Sequence, residues 1–327
     1  MRFGSLVSSR FAPRVFCGLT VVVLASLVGA GQDRSAPPEQ PAEKAPLASQ
    51  SLLLDVSVTG GQMVAVGERG HILVSRDSGA TWTQGDVPTR ALLTGVYMHD
   101  AQLGWAVGHD EVVLRTRDGG RTWQQVNYAP ENERPLLDVW FADAQRGLAV
   151  GAYGQLLVTT DGGDSWAAKP ANGGDDFHLN AIVADGNGTV YLAAESGRLY
   201  RSDDGGSTFT VLPSPYQGSF FGVLPLSDGS MIAYGLRGHL FRSSDRGATW
   251  ERVQADTEET LTCAVELGGG RFVVGGMAGT LLWSDASGRT VRKQELPNRK
   301  AIAALAVTGQ ELLLFGEGGV QRANIPR

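Results

Sequence analysis

Eight side chains stand out by type and by their position at short turns between apolar runs: Glu68, Arg69, His109, Asp110, Tyr153, Glu195, Arg237 and Glu317. Hydrolysis of a glycosidic bond needs two carboxyl groups flanking that bond. Glu68, Asp110, Glu195 and Glu317 supply carboxylates, but each sits on a separate turn, so a pair could form only across a shared opening. Tyr153 with Glu195 has the composition of a nucleophile and its base, and Arg237 could hold an anion, yet one arginine per turn is no convergent cluster. Asp175, Asp176 and His178 are close in sequence, but their spacing matches no metal motif and reads as solvated loop charge. Phosphate-binding loops, dinucleotide fingerprints and serine or cysteine hydrolase motifs are absent. These residues therefore read as a recognition set. No cofactor, metal or catalytic residue is expected.

The elements that carry these turns follow from one repeated phrase. Asp77–Trp82, Asp118–Trp123, Asp161–Trp166, Asp204–Phe209 and Asp245–Trp250 each read Asp-x-Gly-x-Thr/Ser-aromatic, and a degraded copy runs from Ser284 to Val291. The closing positions 82, 123, 166, 209, 250 and 291 are 41 to 43 residues apart. A fixed period of this length signals an array of one supersecondary unit. Each unit holds a first apolar strand (LLDVSV, LLTGVYM, LLDVWF), a second (MVAVG, GWAVG, GLAVG), a tight turn, a third strand, the Asp turn and a fourth strand. Seven first and second strands can be counted. Four antiparallel strands repeated radially predict a seven-bladed, all-β propeller over residues 49–327.

The repeat also assigns roles. The Asp carboxylates can accept nearby backbone amides in a hairpin, glycine permits positive φ, and the aromatic residue can fill the seam between blades. Asp77, Trp82, Asp118, Trp123, Asp161, Trp166, Asp204, Phe209, Asp245 and Trp250 are thus read as structural. Asp55, Gly95, Asp138, Ala181, Gly222, Cys263 and Ala304 align on the innermost strands and are short, as an axis demands. The seventh unit ends at Gln321–Ala323 without an Asp turn, and the segment around Pro46 to Ser51 is expected to supply its fourth strand and close the ring. The turns carrying the eight recognition residues fall on the face opposite the Asp turns. Two long connections, Asn127 to Pro135 and Pro170 to His178, should lie on that same rim.

The first thirty residues read as an export signal or N-terminal anchor: Arg2, Arg10 and Arg14 precede an uncharged run from Val15 to Ala30, with small residues around Gly29-Ala30-Gly31. Residues 31–48 read as a Pro/Ala-rich tether. Cys263 alone remains after the leader, so no internal disulfide forms, and it is expected to be a buried small hydrophobe. Net charge is −6, or −9 without the leader's three arginines, which disfavours a general nucleic-acid partner.

The phrase V-G-x-x-G-x-L-x-x-T/S-x-D-x-G-x-T-W, as in residues 107–123 and 150–166, resembles the Asp-box (BNR-repeat) propellers and, more narrowly, the photosystem II stability/assembly-factor-like family. The resemblance covers roughly residues 50–323. It implies a non-catalytic protein-interaction or assembly role on an envelope membrane-protein complex, since family members act as chaperones of membrane-complex assembly. Exported relatives in other bacteria extend this to large export transporters. The expected place is the periplasm or the outer side of the cytoplasmic membrane, with peripheral membrane association and a monomeric ring. Photosynthetic members use an arginine-rich patch; Arg115, Arg117, Arg201 and Arg242 lie on or beside third strands here, but the acidic balance argues against transferring that patch. Sialidases also carry Asp boxes, so an Asp-box glycosidase or carbohydrate-binding propeller is the alternative; the early Arg-Ile-Pro phrase of sialidases is missing after the leader.

Overall fold

The structure, a computed structural model, describes residues 40–170 and 176–326. The leader, residues 31–39 of the tether and Asp175 lie outside the described residues. Seven antiparallel sheets follow one another along the chain, each laid out in strand order one-two-three-four, except that the last has three strands among the described residues. This is the seven-bladed propeller. The second strands are apolar apart from an occasional first residue such as Gln62, Arg271 or Glu311, and are buried along almost their whole length, as in Gly104–Gly108 and Val190–Ala194, because each is covered by a neighbouring blade on both faces.

The seams form the core. Each closing aromatic of an Asp turn enters the seam with the preceding blade: Trp123 lies with Val64 and Val74 of blade 1, Phe209 with Leu148 of blade 3, and Trp82 meets Phe315 of blade 7 edge-on at 5.8 Å. Inside each turn the carboxylate is the organiser. Asp161 accepts Ser165 N–H at 3.0 Å, Ser165 Oγ–H at 2.6 Å and Thr159 Oγ1–H at 2.8 Å. The Thr159 hydroxyl in turn accepts Gly163 N–H at 2.9 Å. Ser75, Thr116, Ser202 and Ser243 do the same in blades 1, 2, 4 and 5. Hydrogen bonds from Thr81, Ser165 and Ser202 head the causes that hold Asp77, Asp161 and Asp204 down to about 2.

Around the axis, every first strand carries a bulge at the same place, between Leu53 and Asp55, Leu93 and Gly95, and so on through Ile302 and Ala304. The bulge aims side chains at the next blade. Thr94 donates to Leu136 O at 2.8 Å, Asn180 to Phe220 O at 2.8 Å, and Thr262 to Ile302 O. In alternate blades the direction reverses: Asp55 accepts Val96 N–H at 2.8 Å and Asp138 accepts Ile182 N–H at 2.9 Å. In blade 5, where the axial residue is Gly222, Tyr234 reaches across from the second strand and takes the Ala264 amide. Six of the seven junctions are thereby hydrogen-bonded by a side chain at the axis.

The ring closure differs from the expectation. Ala48–Gln50 is a 3-10 turn in which Ala48 N–H and Gln50 N–H donate to Ala45 O and Leu47 O just upstream, so it does not run as a fourth strand. Among the described residues its one backbone hydrogen bond to blade 7 is from Val320 N–H to Ser49 O at 2.8 Å, while Ala48 packs with Leu313 and Phe315. Upstream, Ala42 donates to Val87 O, and Ala45 N–H and Glu43 O bond the Gln84 amide, so residues 42–45 run beside the fourth strand of blade 1. Among the described residues no helix is long and apolar enough to cross a membrane.

Candidate binding surface

The turns between second and third strands form one rim. They share a face with the blade-to-blade connections, as Gly70 N–H to Ala91 O and Gly154 N–H to Phe177 O show. Their backbones are nearly superimposable in conformation: Arg69, Asp110, Tyr153, Ser196, Arg237 and Ala278 all adopt φ between 52° and 62°. A left-handed residue is tolerated there because a second positive-φ residue, usually glycine, completes the turn. The rim is thus a nearly constant scaffold on which the side chains at the turns are free to differ from blade to blade.

The eight recognition residues separate into groups. Glu68, Glu195 and Glu317 are used by the fold: each carboxylate accepts the N–H just ahead of its own blade's first strand, Leu52 at 3.1 Å, His178 at 3.1 Å and Ala301 at 3.0 Å. Arg69, the adjacent pair His109 and Asp110, and Arg237 project into solvent on three separate blades. Only Tyr153 and Glu195 are brought together, and His178 joins them. The Tyr153 ring, 56% exposed, meets the His178 ring edge-on at 5.0 Å. His178 Nδ1 lies 3.4 Å from Glu195 Oε1. Beside them the Arg198 guanidinium lies over the Phe177 ring, 5.6 Å from its centre. Exposed aromatics next to charges on a fixed backbone are the usual composition of a protein-binding anchor.

The first long connection reaches this rim, as does the described end of the second, where Phe177 O accepts Gly154 N–H; residues 171–175 lie outside the described residues. Pro130–Asn132 forms a 3-10 turn, and Asn132 donates to Glu111 Oε1 at 2.9 Å, packing the loop on the blade 2 turn. Asp176 is exposed, and no group of three or more metal-ligating side chains occurs among the described residues. The third-strand arginines are mostly committed elsewhere. Buried Arg115 pairs with Asp164 at 2.7 Å and donates to Gly162 O, while Arg242 pairs with Asp228 at 2.9 Å. Arg201 donates to Arg246 O across the next seam; Arg117 alone of the four is exposed. Arg115 and Arg201 clamp blade to blade, Arg242 is held within blade 5, and the four form no patch.

The axial residues are as short as the repeat alignment requires, but two of them are carboxylates in one cavity of about 250 Å³, together with Asn180, Phe221, Tyr234 and Cys263. Burial pushes Asp55 up to about 6, and burial with the nearby Asp55 charge pushes Asp138 higher still. Neither has an ion-pair partner among the described residues. Each carboxylate is bound by two backbone N–H groups, its own neighbour's and the next blade's, so their placement is explained by the junctions they hold. Burial raises the Cys263 thiol to about 12, which keeps it protonated and inert. Sequence reasoning placed Asp55 and Asp138 on the axis but missed their pairing; the signal available was two acids among seven otherwise uncharged aligned residues.

Comparison with known proteins fits this architecture. The profile described as "Photosynthesis system II assembly factor YCF48" matches residues 36–131 and 130–258. The chloroplastic photosystem II stability/assembly factor HCF136 of Cyanidioschyzon merolae is 35% identical over 82 residues, 23% of this chain, and the match spans only 19% of that relative. A solved structure described as YCF48 bound to D1 peptide superposes with a TM-score of 0.71 at 17% identity, over 90% of this chain and 98% of that one. YCF48 from Cyanidioschyzon merolae gives 0.68 at 17% identity, over 86% and 97%. Virginiamycin B lyase of Staphylococcus aureus gives 0.72 at 10% identity, over 83% and 94%, so backbone likeness alone establishes the propeller and leaves its task open. The profile spans more than half of the 327 residues, and on that ground the chain belongs to the photosystem II assembly factor YCF48 family.

Proposed function

We propose that this chain is a non-catalytic binding propeller that engages a polypeptide segment of an envelope membrane-protein complex and assists its assembly or operation. Family membership supports the class of function, and a family propeller has been solved with a peptide described as D1. The observation that carries the reading is the rim: turns of one conformation bear unlike side chains, and Tyr153, His178, Glu195, Phe177 and Arg198 gather at the boundary of blades 3 and 4. The carboxylates nearest to a catalytic arrangement, Glu68, Glu195 and Glu317, are engaged by backbone amides. An exported location fits the leader, and a transporter complex is one partner of the required kind.

Crosslinking with affinity capture from native envelopes tests this, using the Arg69→Ala, His109→Ala, Tyr153→Ala, Arg237→Ala variant as control. One membrane complex captured by the wild type and lost by the variant is the expected result. Recovery of no protein partner, with binding on glycan arrays instead, would replace this reading by the carbohydrate one.

A further inference from the structure

Six blades have four strands, and blade 7 has three among the described residues, ending with Gln321–Asn324. The register gives the local reason. Met63 pairs with Ser75 in blade 1, and Leu312 pairs with Ala323 in blade 7. The hydroxyl that organises the Asp turn is therefore a methyl group at Ala323, and no fourth strand pairs with Gln321–Asn324 among the described residues.

Two features are left behind. The first is an open edge. In blade 1, Ile72 O accepts Gly85 N–H and Val74 pairs with Thr83 of the fourth strand; the corresponding residues in blade 7 are Val320 and Arg322. Residues two apart on a strand point the same way, so Val320, Arg322 and Asn324 direct their backbone groups outward. Ser49 O takes the Val320 N–H, and the Arg322 rung has no strand opposite it among the described residues. The second feature is a seat. In the other seams the incoming Asp turn rests on the preceding blade, as Gly120 does beside Val74 and Gly163 beside Trp105. Between Trp283 of blade 6 and Pro326 of blade 7 the equivalent space is a cavity of about 440 Å³, also lined by Leu267, Arg271, Arg292 and Asp285, whose carboxylate is taken up within its own turn by Ser287, Thr290 and the Arg289 amide. Neither Arg271 nor Arg292 has an ion pair among the described residues.

We infer that this flank takes an extended segment of a partner polypeptide as the fourth strand of blade 7. Backbone hydrogen bonds to Arg322 would supply the pairing, an apolar side chain would fill the cavity beside Trp283, and an acidic side chain would meet Arg271 and Arg292. A second copy of this chain fits poorly, because its own edge, Gln321–Asn324, carries no acid to meet Arg271 and Arg292. The chain's own residues 31–39, GQDRSAPPE, contain two prolines that lack the N–H a strand needs. The inference goes beyond the rim reading but rests on the chain being a polypeptide binder.

The test is selection of a phage-displayed library of random, proline-free dodecapeptides on the whole chain, followed by amide exchange with a synthetic copy of the consensus. The expected consensus pairs acidic with apolar residues, and the peptide protects the Arg322 and Asn324 amides. Affinity should fall about tenfold or more in Arg322→Pro, whose lost N–H faces outward, and in Arg271→Glu with Arg292→Glu. A peptide with its acids changed to lysine should regain affinity for the double variant, which keeps the test valid if the proline variant misfolds. Peptides that bind all variants equally would overturn the flank site and leave the polypeptide-binding function standing. A library without binders would overturn both. Wild-type dimers abolished by Arg322→Pro, or peptide binding seen only after deletion of residues 1–39, would also overturn it, by assigning the edge to a second copy or to the chain's own N-terminal segment.

Discussion

The hydroxyl of Tyr234 lies 2.1 Å from where a Cβ on Gly222 would stand. The two residues face each other across one sheet of blade 5, paired in register between its first and second strands. Glycine at the axis thus makes room for a ring from the second strand, and that ring supplies the polar group that Asp55 and Asp138 supply in blades 1 and 3. Gly222→Ala should displace Tyr234 and lower stability by about 1–3 kcal/mol, the usual cost of overpacking. Urea denaturation of Gly222→Ala against the wild type measures it. The same loss in a Tyr234→Ala background, where the space is vacant, would refute the clash.

The axial acids make stability depend on pH in an unusual direction. A carboxyl whose pKa is raised on folding holds its proton more tightly in the folded state. Its contribution is complete below the unfolded value near 4 and is lost as pH rises through the folded value. For Asp55 the decline runs from about pH 4 to about 6, and for Asp138 it continues to about 8. Chemical denaturation at pH 5, 7 and 9 should show stability falling, and Asp138→Asn should flatten that slope whatever its offset.

The Asp turns behave oppositely. Asp77, Asp161 and Asp204 are held down by their hydroxyl and amide donors to about 2, so their contribution is present above pH 4 and lost as pH falls toward 2. Thr159→Val, which removes the hydroxyl bonded to both Asp161 and Gly163 N–H, should cost about 1–3 kcal/mol at neutral pH by leaving the buried amide unpaired. Thermal unfolding checks the loss, and an unchanged melting temperature would remove the hydroxyl from the account.

Trp123 is 6% exposed in the seam of blades 1 and 2, with its indole N–H on Gly120 O at 3.1 Å. Trp123→Ala should cost about 3–5 kcal/mol through the cavity it opens. Tyr153→Ala, on the exposed rim, should change stability by no more than about 0.5 kcal/mol. A calorimetric comparison of the two variants separates a seam aromatic from a surface one.

Sequence alone determined the propeller, the seven blades, the seam aromatics and the short axial residues, because each is written once per unit and repetition turns a weak local signal into a strong one. It also placed the rim turns on the face opposite the Asp turns, since the up-and-down order of strands within a blade fixes which turns share an end. Tertiary structure alone decided what is written only once. Tyr234 substitutes for an axial acid by reaching over Gly222, Arg115 spends its charge in a seam, and His178 gathers Tyr153 and Glu195 from two blades. Ala48–Gln50 turns where a closing strand was expected. The three side-chain arrangements depend on residues distant in sequence meeting across a seam or a sheet, and no periodicity along one chain encodes which of them will meet.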